Sequence, residues 1–279
     1  MIERRSLLAG MAGTFGAVAL GGQVRGQAIE PPIELKPELA SAFAELGTEG
    51  VFVALDRKRN VMTMTDETRA RRGLLPASTY KIPHAAIALE TGVVADVDTE
   101  VIRWDGVVRE FPDWNRDHTL RSAMRYSVVP VFQQIANRIG EERMHKFIDA
   151  FGYGNRDISG APLDRFWLQG NLRVSPLQQI DFLTRFYDGK FGLADRSTRL
   201  VLEIIPTEPS GGATIHAKTG AIGIDGSDGM VATHGWLVGY VEQGGAPTFF
   251  AMNLDIHAPR HLAQRFPIAK ALLQKIGAV

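Results

Sequence analysis

The chain has 279 residues, of which 45% are hydrophobic, and its formal net charge is zero. This length and composition fit one large domain or two small ones with an ample core. The balance of charge offers no basic surface for nucleic acid, and without any cysteine neither disulfides nor thiol chemistry can contribute to fold or function.

The first 28 residues have the pattern of an export signal. Arg4 and Arg5 precede an apolar, glycine-rich stretch, and small residues follow at Gly26 and Ala28, where cleavage is expected. The paired arginines are typical of twin-arginine export to the bacterial periplasm, with the Sec route as the other possibility. An uncleaved anchor is disfavoured because the apolar part is short and rich in Gly and Ala. No other segment is apolar enough to span a membrane, so none is expected to do so after cleavage.

Strand patterns occupy the two ends of the remaining chain. Residues 50 to 56 form an apolar run typical of a buried strand, and residues 61 to 65 alternate as its hairpin partner. Toward the carboxyl end the predicted elements are strands over residues 213 to 217, 233 to 243 and 248 to 255, and then a helix over residues 265 to 276.

Helical patterns fill the middle of the chain. A helix that begins near Ser78 is closed by Gly92, and a capping box at residues 175 to 178 starts another helix. The further predicted helices cover residues 131 to 139, 141 to 151 and 196 to 204.

This order of elements predicts an α/β fold of the α+β type: an antiparallel sheet flanked by helices, built from both termini, with an inserted all-helical subdomain. Within a single domain over residues 29 to 279, the α/β half would comprise about residues 29 to 92 and 205 to 279. The helical half would comprise about residues 93 to 204. A cleft between the halves is the expected place for a small-molecule site.

Ser78 and Lys81 stand three residues apart, where a polar loop gives way to an apolar run. On a helix this spacing places both side chains on one face, about 5 to 6 Å apart at Cβ. A serine needs a proton acceptor to attack a carbonyl, and a lysine can serve only if burial makes it neutral or it is chemically altered. Taken alone, the pair is better explained by an N-cap serine and a solvated lysine.

Two other segments offer the remaining parts of an acyl-transfer site. Ser127 precedes a helix, so its hydroxyl either relays a proton at the cleft or only caps that helix. Lys218-Thr219-Gly220 follows a predicted strand, where an ammonium and a hydroxyl can hold a carboxylate and the glycine allows close approach of the backbone. The N–H groups of Ser78 and Ala221 are candidates for the oxyanion hole.

No metal site is predicted. The seven histidines include no H-E-x-x-H motif and no close His-Asp cluster. His257 and His261 are four residues apart, but Pro259 between them disfavours a shared helical face, so both are expected at the surface.

Together these segments resemble the class D, or oxacillinase-type, serine β-lactamases. Each motif alone is weak, but the ordered set is specific, and it covers residues 45 to 279. Tyr80 stands where the family more often has Phe and where related penicillin-sensing domains also have Tyr. The matching segments are Ser78-Thr-Tyr-Lys81, Ser127-x-Val129, Tyr153-Gly-Asn155, Trp167-Leu168, Lys218-Thr-Gly220, Trp236-Leu-Val-Gly239, Asn253-Leu-Asp255 and Arg265.

The resemblance implies hydrolysis of β-lactam antibiotics through an acyl group on Ser78, with antibiotic resistance as the result. Lys81 would be N-carboxylated by CO2 or bicarbonate and would act as general base, with no metal and no dissociable cofactor. Burial supports this because it lowers the pKa of a lysine and leaves a neutral amine that can capture CO2. Trp167 would donate a hydrogen bond to the carbamate.

The resemblance also assigns the remaining roles. Ser127 would shuttle a proton during acylation, and Lys218, Thr219 and Arg265 would hold the carboxylate of the drug. The implied substrate-binding residues are Lys218, Thr219, Gly220, Ala221 and Arg265, with Val129 and Leu168 as an apolar wall.

Two alternatives stay open: a penicillin sensor that is acylated without turnover, and a D,D-peptidase. A sensor would need a transmembrane and signalling part, whereas this sequence shows only a signal peptide. Cell-wall peptidases usually carry S-x-N or S-D-N as the second motif, and here Val129 fills the Asn position. We expect a monomer or homodimer whose partner is a small β-lactam, selected by loops near residues 105 to 120 and 221 to 233.

Overall fold

The computed structural model describes residues 31 to 222 and 233 to 279. The predicted export signal over residues 1 to 28 lies outside the described residues, as does most of the loop predicted near residues 221 to 233. Within the described ranges, no helix combines the length and the apolar character that crossing a membrane requires.

A sheet of seven strands forms the centre of the described chain. Across the sheet the strand order is β1-β3-β2-β7-β6-β5-β4, and all neighbouring pairs are antiparallel except β1 and β3, which run parallel. The edge strands β1 and β4 were not predicted, because they are short and mostly exposed. The strands are β1 Ile33–Leu35, β2 Gly50–Asp56, β3 Val61–Met64, β4 Thr207–Ser210, β5 Ala213–Ile222, β6 His234–Glu242 and β7 Thr248–Asp255.

The described ranges also contain ten α-helices. Local chemistry sets their ends: Gly152 adopts a left-handed conformation where α6 stops, and the predicted capping box of Ser175 and Gln178 opens α8. The helices are α1 Ser41–Ala44, α2 Glu67–Arg71, α3 Lys81–Glu90, α4 Leu120–Arg125, α5 Val129–Ile139, α6 Glu141–Phe151, α7 Phe166–Gln169, α8 Pro176–Tyr187, α9 Asp195–Ile204 and α10 Pro259–Lys275, with 3₁₀ turns at Pro37–Ala40, Ala77–Tyr80 and Pro112–Trp114.

The sheet is buried on both faces, so the described part of the chain has two cores. Along β2, Val51 and Val53 belong to the larger core, which includes α3, α5 and α8, while Phe52 and Ala54 belong to the smaller core with α1 and α10. This explains why β2 reads as a continuous apolar run rather than as an alternating one. The helices α4 to α9 lie between residues 120 and 204, as expected, whereas the division of the chain into two halves stays a prediction.

Helix α10 corrects one prediction. It begins at Pro259, six residues before the predicted start, because proline is well tolerated in the first turn of a helix. The expectation that His261 is a surface residue was therefore wrong. His261 is fully buried, its Nδ1 accepts from the N–H of His257, and its Nε2 pairs with the carbonyl of Leu46. His257 itself is exposed.

Candidate active site

Ser78 lies in the 3₁₀ turn directly before α3. The preceding residue, Ala77, is buried and has a φ of 51°, which is costly for a residue with a Cβ. The surrounding structure holds this turn in place: the carbonyl of Leu75 accepts from Trp236 Nε1 at 2.9 Å and pairs with His234 Nε2 at 3.0 Å. The segment that carries the nucleophile is thus fixed to β6.

The structure brings Ser78 and Lys81 together. Lys81 Nζ lies 2.7 Å from Ser78 Oγ, and the lysine side chain is fully buried, with its Nζ 5.2 Å from the centre of the Phe132 ring. Burial lowers the pKa of Lys81 well below its ordinary value, and the charge of Lys218 lowers it further. The solvated lysine of the simpler alternative is therefore excluded, and the amine is poised to accept the serine proton.

Trp167, on α7, presents an unpaired donor next to Tyr80 and His84, which flank Lys81 in the chain. It is fully buried, stacks on Tyr80 with 5.8 Å between ring centroids, and meets His84 edge-on at 5.2 Å. Its indole Nε1 has no hydrogen-bond partner among the described residues. A buried N–H without a partner costs about 1–3 kcal/mol, so this donor suits an acceptor group placed beside Lys81.

Val129 and Leu168 lie on the helices that carry Phe132 and Trp167. Val129 is the first residue of α5, which also carries Phe132, and Leu168 follows Trp167 on α7. Both side chains are half-buried. Their role as an apolar wall stays a prediction.

Ser127 and Lys218 form a second pair of hydroxyl and amine. Lys218 Nζ donates to Ser127 Oγ at 3.0 Å, and Ser127 has a φ of 55°. The alternative that Ser127 only caps a helix was wrong, since Val128 is the N-cap residue of α5 and receives no side-chain bond. Lys218 Nζ also contacts the carbonyl oxygen and Oγ1 of Thr219, at 3.0 and 3.4 Å.

Lys218 is buried, and this changes its charge. Burial, with the charge of Arg265 adding to it, lowers the pKa of Lys218 to about 7. The amine therefore exists in both protonation states near neutral pH, so it can hold an anion and can also supply a proton.

Lys218-Thr219-Gly220 lies inside β5 rather than after a strand, because β5 stays paired with β6 as far as Ile222. A Cβ on Gly220 would lie 3.1 Å from both the Pro76 carbonyl and Thr79 Cγ2. The absence of a side chain therefore lets β5 run directly beside the nucleophile turn.

The oxyanion hole stays a prediction. Ser78 precedes the first hydrogen bond of its 3₁₀ turn, from the N–H of Thr79 to the carbonyl of Pro76, so its own N–H has no partner within the turn. Ala221 follows Gly220 on β5 and is half-buried.

Arg265 reaches the same strand from α10. Its Nη1 donates to the carbonyl of Gly220 at 2.6 Å, and a Cβ on Gly235 would lie 3.0 Å from its Cδ, so Gly235 makes room for it to cross β6. Burial lowers the pKa of Arg265 to about 10. Among the described residues, none of Lys81, Lys218 and Arg265 forms a salt bridge. Arg265 and protonated Lys218 therefore favour an anionic ligand.

A buried polar network supports the nucleophile turn and was not predicted. Tyr153 Oη donates to Gln179 Oε1 at 3.3 Å, Gln179 Nε2 donates to Thr79 Oγ1 at 2.9 Å, and Thr79 Oγ1 donates to the Pro76 carbonyl at 2.7 Å. Gln179 lies 100 residues beyond Thr79. The only local signal was a polar residue on the apolar face of α8.

The acidic and histidine side chains form no group of three that could hold a metal ion in residues 31 to 222 and 233 to 279. This finding concerns only those parts of the chain.

Comparison with known proteins gives consistent matches. Residues 50 to 274 match the model of the penicillin-binding protein transpeptidase domain. The chain is 43% identical over 233 residues to β-lactamase OXA-48 of Klebsiella pneumoniae, and the aligned region covers 84% of this chain and 85% of that protein. It is 37% identical over 268 residues to β-lactamase OXA-10 of Pseudomonas aeruginosa, and the aligned region covers 95% of this chain and 98% of that protein.

Solved structures agree with these matches. The class D β-lactamase YbXI from Nostoc superposes with a TM-score of 0.80 at 37% identity, covering 88% of this chain and 100% of that one. FUS-1 (OXA-85), a class D β-lactamase from Fusobacterium nucleatum subsp. polymorphum, gives a TM-score of 0.81 at 30% identity with the same coverage. Since these matches span most of the chain and include the segments of Ser78, Ser127 and Lys218, the chain belongs to the class D serine β-lactamases.

Proposed function

We propose that this enzyme hydrolyses the amide bond of penicillin-type β-lactam antibiotics through an acyl group on Ser78, and so confers resistance to them. The observation that carries this proposal is the 2.7 Å contact between Ser78 Oγ and the fully buried amine of Lys81. A proton acceptor at this distance activates the hydroxyl for attack on a carbonyl. The two relatives named above are both called β-lactamases.

Lys81 is proposed to be carboxylated by CO2, with bicarbonate as its source. The lone pair of the neutral amine forms a bond to the carbon, one C–O π pair becomes the carboxylate charge, and the nitrogen releases a proton to solvent. The lowered pKa of Lys81 and the unpaired donor at Trp167 Nε1 support this step. When carboxylated, Lys81 supplies an anionic proton acceptor for Ser78 and, later, for water. Val129 and Leu168 would restrict access of bulk water.

The remaining residues are proposed to bind and orient the substrate. Lys218, Thr219 and Arg265 would hold its carboxylate, which suits the cationic donors of Lys218 and Arg265 and the hydroxyl of Thr219. The backbone N–H groups of Ser78 and Ala221 would stabilise the oxyanion.

Proton delivery is proposed to run through the second hydroxyl. Ser127 would pass a proton to the leaving nitrogen and recover one from Lys218, whose Nζ lies 3.0 Å away and whose pKa is about 7. No metal and no dissociable cofactor takes part in this scheme.

Export to the periplasm is part of the proposal, since β-lactams act outside the cytoplasmic membrane and residues 1 to 28 have the pattern of a twin-arginine or Sec signal. Cell fractionation of wild type and of an Arg4→Lys, Arg5→Lys variant distinguishes the routes. Loss of export in the variant supports the twin-arginine route, and unchanged export supports the Sec route. Retention of wild-type protein in the cytoplasm would contradict export itself.

The decisive experiment follows turnover of a chromogenic cephalosporin and a penicillin by the purified protein, in CO2-free buffer and with added bicarbonate. Many turnovers, enhanced by bicarbonate and absent in Ser78→Ala, would support the proposal. A single burst that leaves a stable adduct on Ser78 by mass spectrometry would indicate a penicillin sensor. Release of D-alanine from a peptide that ends in D-Ala-D-Ala would indicate a D,D-peptidase.

A further inference from the structure

Helix α3 carries a buried histidine that the proposed reaction does not use. His84 follows Lys81 by three residues, so the two side chains share a helical face, and both are fully buried. The ring of His84 lies 5.3 Å from that of Phe132 and 5.2 Å from that of Trp167. Lys81 Nζ lies 5.2 Å from the centre of the same Phe132 ring, so His84 and the Lys81 amine share this buried neighbour.

The polar atoms of the His84 and Trp167 rings lack partners within the described chain. Neither ring nitrogen of His84 has a hydrogen-bond partner in the described ranges, and Trp167 Nε1 shares this property. Buried polar atoms are normally paired. His261, the other fully buried histidine of this chain, pairs both of its nitrogens, with His257 and Leu46. Three unpaired polar atoms on two adjacent rings, one helical turn from Lys81, therefore indicate a polar group at this place.

The protonation state of His84 limits what that group can be. Burial, and then the charge of Lys81, lowers the pKa of His84 to about 3. Burial, the larger of these causes, favours the neutral imidazole, which offers one N–H donor and one acceptor nitrogen. A carboxylate needs more donors than the single indole N–H of Trp167 can provide, and a neutral imidazole provides one without a further positive charge.

We propose that His84 is a positioning residue, which donates its ring N–H to the carboxylate of carboxylated Lys81, directly or through one water molecule. This inference rests on the proposed carboxylation of Lys81 and extends it. His84 then sets the affinity of the enzyme for CO2, while the rate at saturating bicarbonate depends on Ser78, Lys81 and the substrate contacts.

The test compares the wild type with His84→Leu, which removes the donor, and with His84→Asn, whose amide keeps one. Two readouts are followed against bicarbonate concentration: turnover of a penicillin, and the carbamate signal in ¹³C NMR with labelled bicarbonate, with Lys81→Ala as the blank. By both readouts, His84→Leu should raise the half-saturating bicarbonate concentration about tenfold to a hundredfold, because the variant loses a hydrogen bond to a charged group. His84→Asn should stay within about threefold of wild type.

A matched control separates this role from a loss of stability. Leu272→Ala removes only apolar atoms from the core on the other face of the sheet, so it should weaken the fold and leave the bicarbonate requirement unchanged. If His84→Leu does not fold, NMR of wild-type protein with ¹⁵N-labelled histidine replaces that variant. The His84 ring resonances are identified as those absent from the spectrum of His84→Asn, and bicarbonate should shift them in the wild type.

Failure of the proposed role of His84 and failure of the proposed carboxylation of Lys81 give different results. Equal bicarbonate affinity of wild type and His84→Leu, or unshifted His84 resonances while the carbamate signal is present, would overturn the role of His84 alone. A wild-type protein without a carbamate signal at any bicarbonate concentration would overturn the carboxylation of Lys81, and the role of His84 with it.

Discussion

The site contains the same pair of functional groups twice. Ser78 Oγ lies 2.7 Å from the amine of Lys81, and Ser127 Oγ lies 3.0 Å from the amine of Lys218. Both lysines are buried. Their surroundings differ: aromatic rings border Lys81, whereas Thr219 offers two oxygen atoms to Lys218 and Arg265 lies close by.

This difference shows how the surroundings of a buried lysine give the two pairs of serine and lysine opposite roles. Burial leaves Lys81 with little compensation for lost hydration beyond its contact with Ser78, so its pKa falls well below the ordinary value and the amine becomes a proton acceptor. Lys218 keeps polar contacts, and its pKa of about 7 lets it remain a cation for part of the time. The first pair suits nucleophile activation, and the second suits anion binding and proton delivery.

The largest effect is expected from breaking the first pair. Lys81→Ala removes the proposed base, so kcat/KM for a penicillin should fall about 10³-fold or more, with deacylation abolished. Stopped-flow acylation and steady-state turnover measure the two steps. Lys275→Ala, on the exposed end of α10, is the matched control and should behave as wild type. Unchanged turnover in Lys81→Ala would remove Lys81 as the base.

The next largest effect concerns the surroundings of the first pair. Trp167→Phe keeps most of the ring packing but removes the unpaired N–H, so the half-saturating bicarbonate concentration should rise about tenfold to a hundredfold. Trp236→Phe is the matched control, because its N–H pairs with Leu75. That control should lose stability without a new bicarbonate requirement. An equal bicarbonate response of both variants would contradict the assignment to Trp167.

A smaller effect concerns the second pair and the pH dependence of stability. Lys218 has a pKa of about 7 when folded and an ordinary value of 10.5. Between these values the unfolded chain binds the extra proton, so rising pH stabilises the fold by about 1.4 kcal/mol per pH unit for this residue. Below pH 7 Lys218 is protonated in both the folded and the unfolded chain, so its contribution to the free energy of unfolding no longer changes with pH.

Lys218→Met lacks this titration. In CO2-free buffer, the free energy of unfolding of the wild type should therefore rise by about 2 kcal/mol relative to the variant between pH 7 and pH 9. Urea unfolding at each pH measures it. Parallel pH profiles would show that Lys218 titrates normally.

The last prediction, with an effect of similar size on stability, tests how closely the two pairs are joined. Gly220→Ala places a Cβ 3.1 Å from the Pro76 carbonyl and Thr79 Cγ2. We expect a loss of stability of about 1–3 kcal/mol from overpacking and a fall in kcat/KM, as β5 moves away from Ser78. Gly245→Ala, at a glycine with no atoms within 4 Å of the new Cβ, is the control. Wild-type kcat/KM in Gly220→Ala would show that the spacing tolerates a methyl group.

Elements with strong local signals were predicted well. The bounds of β2, β7 and α6 agree with the prediction, and the capping box of α8 was identified. Periodicity, glycine stops and capping residues act within a few positions of the chain, so they can be read without the fold. The family, the fold class and the enzyme class were confirmed by the comparisons.

Contacts between distant segments were beyond such reasoning. The bond from Lys218 to Ser127 joins residues 91 positions apart, and the bond from Gln179 to Thr79 spans 100 positions. The extension of β5 through Lys218, Thr219 and Gly220 depends on pairing with β6. The burial of His261 depends on where α10 docks. In each case the partner lies far away in the chain.

The sequence by itself determined where the nucleophile lies, that its lysine shares a helical face with it, and to which family the chain belongs. Only the tertiary structure decided what each lysine does. The pKa of an amine depends on the water it loses and the charges it meets, and here those are set by α5, α7, β5 and α10, which meet Ser78 and Ser127 only in the folded chain. The same holds for His84, whose unpaired nitrogens become apparent only when its neighbours are in place.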